Sequence, residues 1–302
     1  MKIWVPSEAM VEVLSDLPRV QCEVYDGKGE MPDGLEEVEV WVPPLITPRD
    51  VKGTLAKMTS LRLVQTVTAG VEPYRPNMPE GTVLCNARGV HDAGTAEWAV
   101  GAMIAVLREF PGFADAQRRG EWTYHHTGVL ADSTVLIVGY GSIGAALERR
   151  LDGFEVDVVR VARTARDGVH GMDDLPGLLP DADVVVLLVP ATADTAGMVD
   201  AAFLARMKDG ALLVNAARGG VVDTGALVDE LRSGRLRAAA DVTDPEPLPE
   251  GHPLWTAPGF FLTPHVAGST PASGRRMLRL VRSQMLRYLA GEPLNNVITD
   301  TY

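Results

Sequence analysis

The chain has 302 residues, 46% hydrophobic and 23% charged, which is the balance of a globular protein and too long for one ordinary core, so two domains are expected. A formal net charge of −12 repels nucleic acid phosphates and anionic lipid, which argues against either as a partner. Two cysteines, Cys22 and Cys85, in no CxxC or metal-like spacing set aside a disulfide scaffold and suit a reducing cytoplasm.

The first residues, Met1-Lys2-Ile3-Trp4-Val5-Pro6, read as a β-strand and lack the charged start and long apolar run of a signal peptide. Further strands are expected at 21–25, 38–42, 63–67 and 82–84, with helical stretches at 9–14 and 49–58. Residues 94–108, GTAEWAVGAMIAVLR, read as one long amphipathic helix with small residues for close packing. A second series of strands begins at 134–138 and continues at 156–161, 184–189, 212–215, 237–240 and 260–262. Helices are expected at 143–151, 201–207 and 227–233, and a last long one at 272–289. Strands that alternate with helices from end to end predict an α/β fold with parallel sheets. No apolar run approaches a membrane span, and no fixed-period repeat or low-complexity linker interrupts the pattern. Six histidines lack the i, i+4 pairing of a zinc helix, so no metal site is expected; the adjacent His125 and His126 read as surface or interdomain residues.

The run VLIVGYGSIGAALERRL carries Gly139-Tyr140-Gly141-Ser142-Ile143-Gly144, a GxGxxG directly after a strand and opening a helix. Gly139 permits the tight turn, Gly141 lets backbone N–H groups approach a pyrophosphate, and Gly144 lets the helix pack closely on the sheet. That context makes the turn a dinucleotide-binding signature. The end of the second strand is the next test: a carboxylate there suits the ribose of NAD, an arginine the 2′-phosphate of NADP. Here the strand runs into Ala162-Arg163-Thr164-Ala165-Arg166, with no carboxylate at its tip. Arg163 and Thr164 supply a charged donor and a hydroxyl, while Arg160 lies within the strand and is a poorer candidate. NADP(H) is therefore expected to be preferred, with NAD(H) left open as the alternative.

Three later segments each place a reactive residue just past a strand, where ligands bind in such sheets. These are Arg218 in ALLVNAARGGVV, Glu246 in ADVTDPEPLP and His265 in FLTPHVAG. The pieces GYGSIG, NAARGGVVD, DVTDPEPLP and LTPHVAG, in this order, resemble the D-isomer-specific 2-hydroxyacid dehydrogenase family. TAGVEPY, NARGVHDAGTAE, VPATADT and RYLAGEPLNNVI fit more loosely, so the likeness covers nearly the whole chain.

The resemblance implies hydride transfer between a nicotinamide and a small 2-keto or 2-hydroxy acid. Arg218 would grip the substrate carboxylate, for which its planar fork suits it better than a lysine, and would polarise the keto oxygen. His265 would give that oxygen a proton, and Glu246 would hydrogen-bond the imidazole; a nearby carboxylate favours the imidazolium form. Asp241 would contact the nicotinamide amide and Thr95 would lie beside the ring. Pro190, Thr192 and Thr195 would border the adenosine, and Ala217 would add a cofactor contact, as would Tyr140, Ser142 and Ile143 in the glycine turn. Backbone N–H groups at Ala69, Gly70 and Val71 would hold the substrate carboxylate from the first domain, completing a substrate site with Arg218 and His265.

Departures from the family pattern are the missing acidic residue after the second strand, Leu188 and Val189 where a histidine often precedes Pro190, and Glu72 in place of an aspartate. The implied architecture is a discontinuous flavodoxin-like substrate domain, 1–95 and 271–302, and a Rossmann domain, 96–270, with the long helices as hinges and cleft closure to exclude water. A homodimer is implied as well. An NADPH-using glyoxylate or hydroxypyruvate reductase is the leading reading, and a broader 2-ketoacid reductase the second. The rival from another class is a cofactor-sensing, co-repressor-like binding protein with little turnover. Trp41-Val42-Pro43-Pro44, at the end of a first-domain strand, either lines the substrate pocket or packs in the core.

Overall fold

The structure, a computed structural model, describes residues 1–28, 31–45 and 50–299. Runs of valine, isoleucine and leucine form the central strands Thr134–Val138, Val184–Leu187 and Leu212–Asn215, and stretches rich in alanine, leucine and arginine form helices such as Ser142–Leu151 and Pro271–Ala290. In chain order the first elements are β1 (Lys2–Val5), α1 (Glu8–Leu14), β2 (Gln21–Val24), β3 (Val38–Trp41), α2 (Val51–Lys57), β4 (Leu63–Gln65) and β5 (Val83–Cys85). Next come α3 (Asp92–Leu107), α4 (Phe110–Arg119), β6 (Thr134–Val138), α5 (Ser142–Leu151), β7 (Asp157–Val161), α6 (Leu175–Leu178) and β8 (Val184–Leu187). The chain ends through α7 (Ala201–Arg206), β9 (Leu212–Asn215), α8 (Thr224–Ser233), β10 (Arg237–Ala240), β11 (Phe260–Leu262) and α9 (Pro271–Ala290).

Two units result, Met1–His91 with Pro271–Tyr302, and Asp92–Thr270. The first holds a parallel five-stranded sheet in the order β2-β1-β3-β4-β5, the order of flavodoxin-like sheets. Ile3, Val5, Val40 and Leu63 are buried on one face with Met277, Val281 and Met285 of α9. Trp4, Val38, Trp41, Val64 and Leu84 are buried on the other with Leu55 and Met58. After α9 the chain returns along β5, where Ile298 N donates to Leu84 O at 2.8 Å and Asn86 N to Asn296 O at 3.1 Å.

The second unit holds a parallel six-stranded sheet in the order β11-β10-β9-β8-β6-β7. Beyond β7 the third strand of a standard dinucleotide fold is reduced to a single bridge from Val161 to His170. β6, β8 and β9 are buried on both faces, as central parallel strands require. Leu136, Val138, Val185, Leu187 and Leu213 meet α7 and α8 on one side. Val135, Ile137, Val184, Val186 and Val214 meet Ala96, Ala99, Met103 and Leu147 of α3 and α5 on the other. Each fully buried leucine or valine contributes about 1.5–3 kcal/mol over its exposed state. Strand order reverses about β6, and such a switch point opens a crevice at the carboxyl ends of the strands.

The α/β architecture matches the expectation, with local differences. Helix α3 starts two residues before the predicted 94 and is apolar on more than one face, with Trp98, Val100 and Ile104 half-buried beside its alanine stripe. Helix α4, whose sequence FPGFADAQRR hides its signal behind a proline and a glycine, was not foreseen; Pro111 sits harmlessly in its first turn and Gly120, at φ +71°, ends it. The 49–58 stretch becomes α2, capped by Asp50 through Gly53 N at 2.7 Å, while Arg49 lies outside the described residues. β8 stops at Leu187, short of the predicted 189, because Leu188 and Val189 pass directly beneath the glycine turn. Among the described residues no helix is long and apolar enough to cross a membrane, and no group of His, Cys, Asp or Glu is placed to hold a metal ion.

Candidate active site

β6 delivers the chain into Gly139, whose φ of +102° belongs to glycine. Gly139 N and Tyr140 N both donate to Val161 O, at 2.9 and 2.8 Å, and so tie the turn to the end of β7. A Cβ at Gly139 would stand 2.7 Å from Leu188 O and Val189 N, and one at Gly144 would meet Gly139 O and Ile137 Cγ2 at 3.2 Å. At Gly141 a Cβ would meet nothing within 4 Å, so the space before α5 is open. Gly141 caps α5 with no side chain, which leaves the first-turn N–H groups of Ser142, Ile143 and Gly144 at the positive helix end for an outside acceptor. Two tight glycines around one open one make a cradle that fits a dinucleotide pyrophosphate. Ser142 Oγ also donates to Asp92 Oδ1 at 3.2 Å, which docks the turn on α3, where Thr95 lies buried one turn further on.

At the tip of β7, Arg160 is already engaged: its Nε donates to Glu148 Oε1 at 2.8 Å, and the Tyr140 hydroxyl bonds the same carboxylate. The Arg160 hydrogen bond holds the Glu148 carboxyl below the usual carboxylate range. Glu148 in turn pushes the Tyr140 phenol up. Arg163, Thr164 and Arg166 follow in an exposed turn. Arg166 Nη2 donates to Tyr140 O at 2.7 Å, with the guanidinium 5.8 Å from the Tyr140 ring centre. On the adenosine-side loop Thr195 Oγ1 donates to Pro190 O at 2.6 Å and accepts from Thr192 N at 2.9 Å, so that hydroxyl shapes the loop from within.

β9, β10 and β11 are neighbours in a parallel sheet, so the loops leaving their carboxyl ends are neighbours too. Asn215 closes β9; its side chain accepts from Ala217 N at 3.0 Å and donates to Arg218 O at 3.1 Å. Arg218 is extended and half-buried, with Nη1 donating to Ala217 O at 2.7 Å. Past β10 and β11, His265 Nδ1 lies 2.6 Å from Glu246 Oε1. An ionised carboxylate only accepts, so Nδ1 carries the proton of that bond and Nε2 is the nitrogen left for a reactant. Both side chains are about half exposed, at 51% and 42%, and so within reach of a small molecule. His265 has a φ of +55°, a conformation that costs a residue with a side chain about 1–2 kcal/mol. Asp241, just past β10 and 3% exposed, turns its carboxylate onto the backbone of the His265 loop.

Three residues that sequence reasoning passed over also shape this edge. Gly219 lies against the Thr243 carbonyl, where no side chain fits. Trp98 donates from α3 to the Thr263 hydroxyl, and Thr263 to Asp241. The available signals were a glycine directly after Arg218 and a hydroxyl two places before His265. Ala69, Gly70 and Val71 belong to the other unit, in the loop after β4; Ala69 O accepts from Asn86 Nδ2 and Gly70 O from Thr68 Oγ1, both at 2.7 Å. In that unit Trp41 is fully buried, edge-on to Tyr74 with ring centres 5.8 Å apart, and packs in the core. His125 and His126 are exposed, His125 Nε2 lying 2.9 Å from Glu109 Oε2.

Residues 100–267 match the family model of the D-isomer specific 2-hydroxyacid dehydrogenase, NAD binding domain. The chain belongs to that family. This 2-hydroxyacid dehydrogenase is thus an NAD(P)-dependent oxidoreductase. It is 34% identical over 250 residues to a glyoxylate reductase of Thermofilum pendens, a match covering 77% of this chain and 73% of the relative. It is similar in structure to a D-isomer specific 2-hydroxyacid dehydrogenase from Xanthobacter autotrophicus Py2 in complex with NADPH and MES, with a TM-score of 0.86, 30% identity, and coverage of 100% and 99% of the two chains. It is also similar to an NADPH-dependent glyoxylate/hydroxypyruvate reductase from Sinorhizobium meliloti in complex with NADP and sulfate, with a TM-score of 0.85, 25% identity, and coverage of 99% and 98%.

Proposed function

We propose that this 2-hydroxyacid dehydrogenase reduces a small 2-keto acid, glyoxylate or hydroxypyruvate first, with NADPH as hydride donor. The observation that carries the reading is the His265–Glu246 pair at 2.6 Å, at the edge of the same sheet that carries the glycine turn. NADPH seated on Gly139–Gly144 would supply the hydride to the keto carbon. Nε2 of His265 gives its proton to the keto oxygen, so that hydride plus proton yields the 2-hydroxy acid. Glu246 holds the ring in the orientation that exposes Nε2 and offsets the imidazolium charge. Arg218 pairs its guanidinium with the substrate carboxylate and draws charge toward the keto oxygen. We extend the substrate contacts to the backbone of Ala69, Gly70 and Val71, and the cofactor contacts to Thr95, Pro190, Thr195, Ala217 and Asp241.

The preference for NADPH rests on the exposed Arg163 and Thr164 after β7, with no carboxylate from 162 to 166, and on Arg160 being tied to Glu148. Two similar solved structures hold NADPH or NADP, in keeping with it. Steady-state kcat/KM for NADPH against NADH, over a panel of 2-keto acids, tests cofactor and substrate together. NADPH is expected to lead by roughly 10-fold or more, the scale of one charge-assisted phosphate contact.

The reading includes a homodimer. Phe110, Trp122, Tyr124 and Val129 are 52%, 95%, 82% and 57% exposed within 20 residues of the second unit, and a second copy of the chain would take these large apolar side chains out of water. Light scattering of the purified chain tests this: a mass of twice 32.4 kDa is expected, and Trp122→Asp should lower it toward the monomer.

A further inference from the structure

Trp98, Thr263 and Asp241 form a hydrogen-bond chain that the roles above leave unused. Trp98 Nε1 donates to Thr263 Oγ1 at 2.9 Å, and Thr263 Oγ1 donates to Asp241 Oδ1 at 2.5 Å. An indole N–H only donates and an ionised carboxylate only accepts, so the direction of this chain is fixed. Asp241 Oδ1 also accepts from Val266 N at 2.9 Å, and Oδ2 from Ala267 N at 2.8 Å. The Asp241 carbonyl accepts from His265 N at 2.7 Å. One buried residue therefore grips the backbone at His265 and immediately after it, while Thr263 anchors the side before. His265 itself stands at φ +55°, a conformation that persists only where the surroundings over-determine it. Hydrogen bonds in series polarise one another, and these are shielded in part from water, so loss of the first weakens the rest.

We propose that Trp98 and Thr263 are positioning residues for the proton-donating imidazole, acting through Asp241. The proposal rests on the reading of His265 as the acid. In it the Asp241 carboxylate holds the 263–267 loop before any cofactor arrives, and the α3 indole sets where that carboxylate stands. The protein's own donors already supply it with three hydrogen bonds.

Thr263→Val keeps the side-chain shape and removes the hydroxyl, Thr263→Ser keeps the hydroxyl, and Trp98→Phe removes the indole N–H. Thr263→Val is expected to lower kcat by roughly 10- to 100-fold, the cost of a displaced reacting group. Its KM for the 2-keto acid should change little, and any loss of NADPH affinity, read by fluorescence titration, should stay well below the loss in kcat. Thr263→Ser should recover most of the rate, and Trp98→Phe should fall between. In the cofactor-free protein, the Trp98 indole N–H resonance should be protected from solvent exchange in the wild type and in Thr263→Ser, and exchange freely in Thr263→Val. A valine variant as fast as wild type, a serine variant as slow as the valine one, or a Trp98→Phe variant at full rate would overturn the proposal. His265→Ala measured alongside separates the two layers: retained turnover there defeats the acid reading, whereas its loss beside an unaffected Thr263→Val defeats the positioning role alone.

Discussion

Gly219 and Thr243 lie in backbone contact: a methyl group on Gly219 would fall inside the Thr243 carbonyl and 2.7 Å from Asp244 N. The loop that carries Arg218 and the loop that carries Glu246 are therefore seated on each other with no side chain between them. Thr224 Oγ1 adds a bond to Asp244 O at 2.8 Å, which fixes the same seam. Arg218 and Glu246 are held in one register by a glycine that contributes no side chain of its own.

Gly219→Ala should force this seam open. A drop in kcat of roughly 100-fold is expected from displaced reacting groups, with a smaller loss of NADPH affinity because the glycine turn lies elsewhere on the sheet and only Ala217 shares the moved loop. Steady-state kinetics and a fluorescence titration of NADPH check both. A variant with wild-type kcat would mean that the two loops adjust independently.

His265→Ala removes the proposed proton donor, and roughly 100- to 10,000-fold in turnover is expected to go with it while NADPH still binds. Glu246→Gln keeps a hydrogen-bond acceptor but removes the charge, so its loss should be smaller. Lost cofactor affinity in His265→Ala, with residual turnover intact, would contradict the assignment.

Much of this site was legible in the sequence because its parts lie at fixed places in a parallel sheet. Gly139, Arg218, Glu246 and His265 each follow a strand that the apolar runs marked well, β6, β9, β10 and β11. Strand order then brings the last three loops together. What stayed hidden depended on backbone geometry or on distance in sequence. The left-handed φ of His265 has no residue code, and Trp98 meets Thr263 across 165 positions. The Thr195 hydroxyl bonds within its own loop, and the Asp241 carboxylate bonds the backbone of the loop after β11, engagements that composition does not reveal. Helix α4 opens on Phe110-Pro111-Gly112, which carries no side-chain cap to announce it, although the first turn of a helix tolerates a proline.

Arg163→Asp replaces the cation proposed for the 2′-phosphate with a like charge. Affinity for NADPH should fall by roughly 10- to 100-fold, the worth of a charged hydrogen bond, while NADH binding changes little or improves. Equal losses for both cofactors would remove Arg163 from that role.

The Glu148–Arg160 pair predicts a pH-dependent stability. Arg160 lowers the Glu148 carboxyl, so the stabilisation is fully present above the unfolded glutamate value of about 4.3 and is lost as pH falls through the lower folded value. Glu148→Gln should cost about 1–2 kcal/mol near neutral pH, with the gap closing in strong acid. Thermal melts at several pH values check the sign; a gap that widens in acid would contradict it.

Burial pushes the Cys85 thiol up to about 12, so it should resist alkylation at mildly alkaline pH in the native state and react once the chain is unfolded. Peptide mapping after brief treatment with iodoacetamide reads the difference from the less buried Cys22. Equal labelling of both in the native protein would place Cys85 outside the core.

The most direct test of the account is oxidation of NADPH by the purified chain when glyoxylate or hydroxypyruvate is added. Turnover that yields the 2-hydroxy acid, faster with NADPH than with NADH and abolished in His265→Ala, is the expected result. Tight NADPH binding with no turnover on any 2-keto acid would contradict it and leave a cofactor-sensing protein on a dehydrogenase fold.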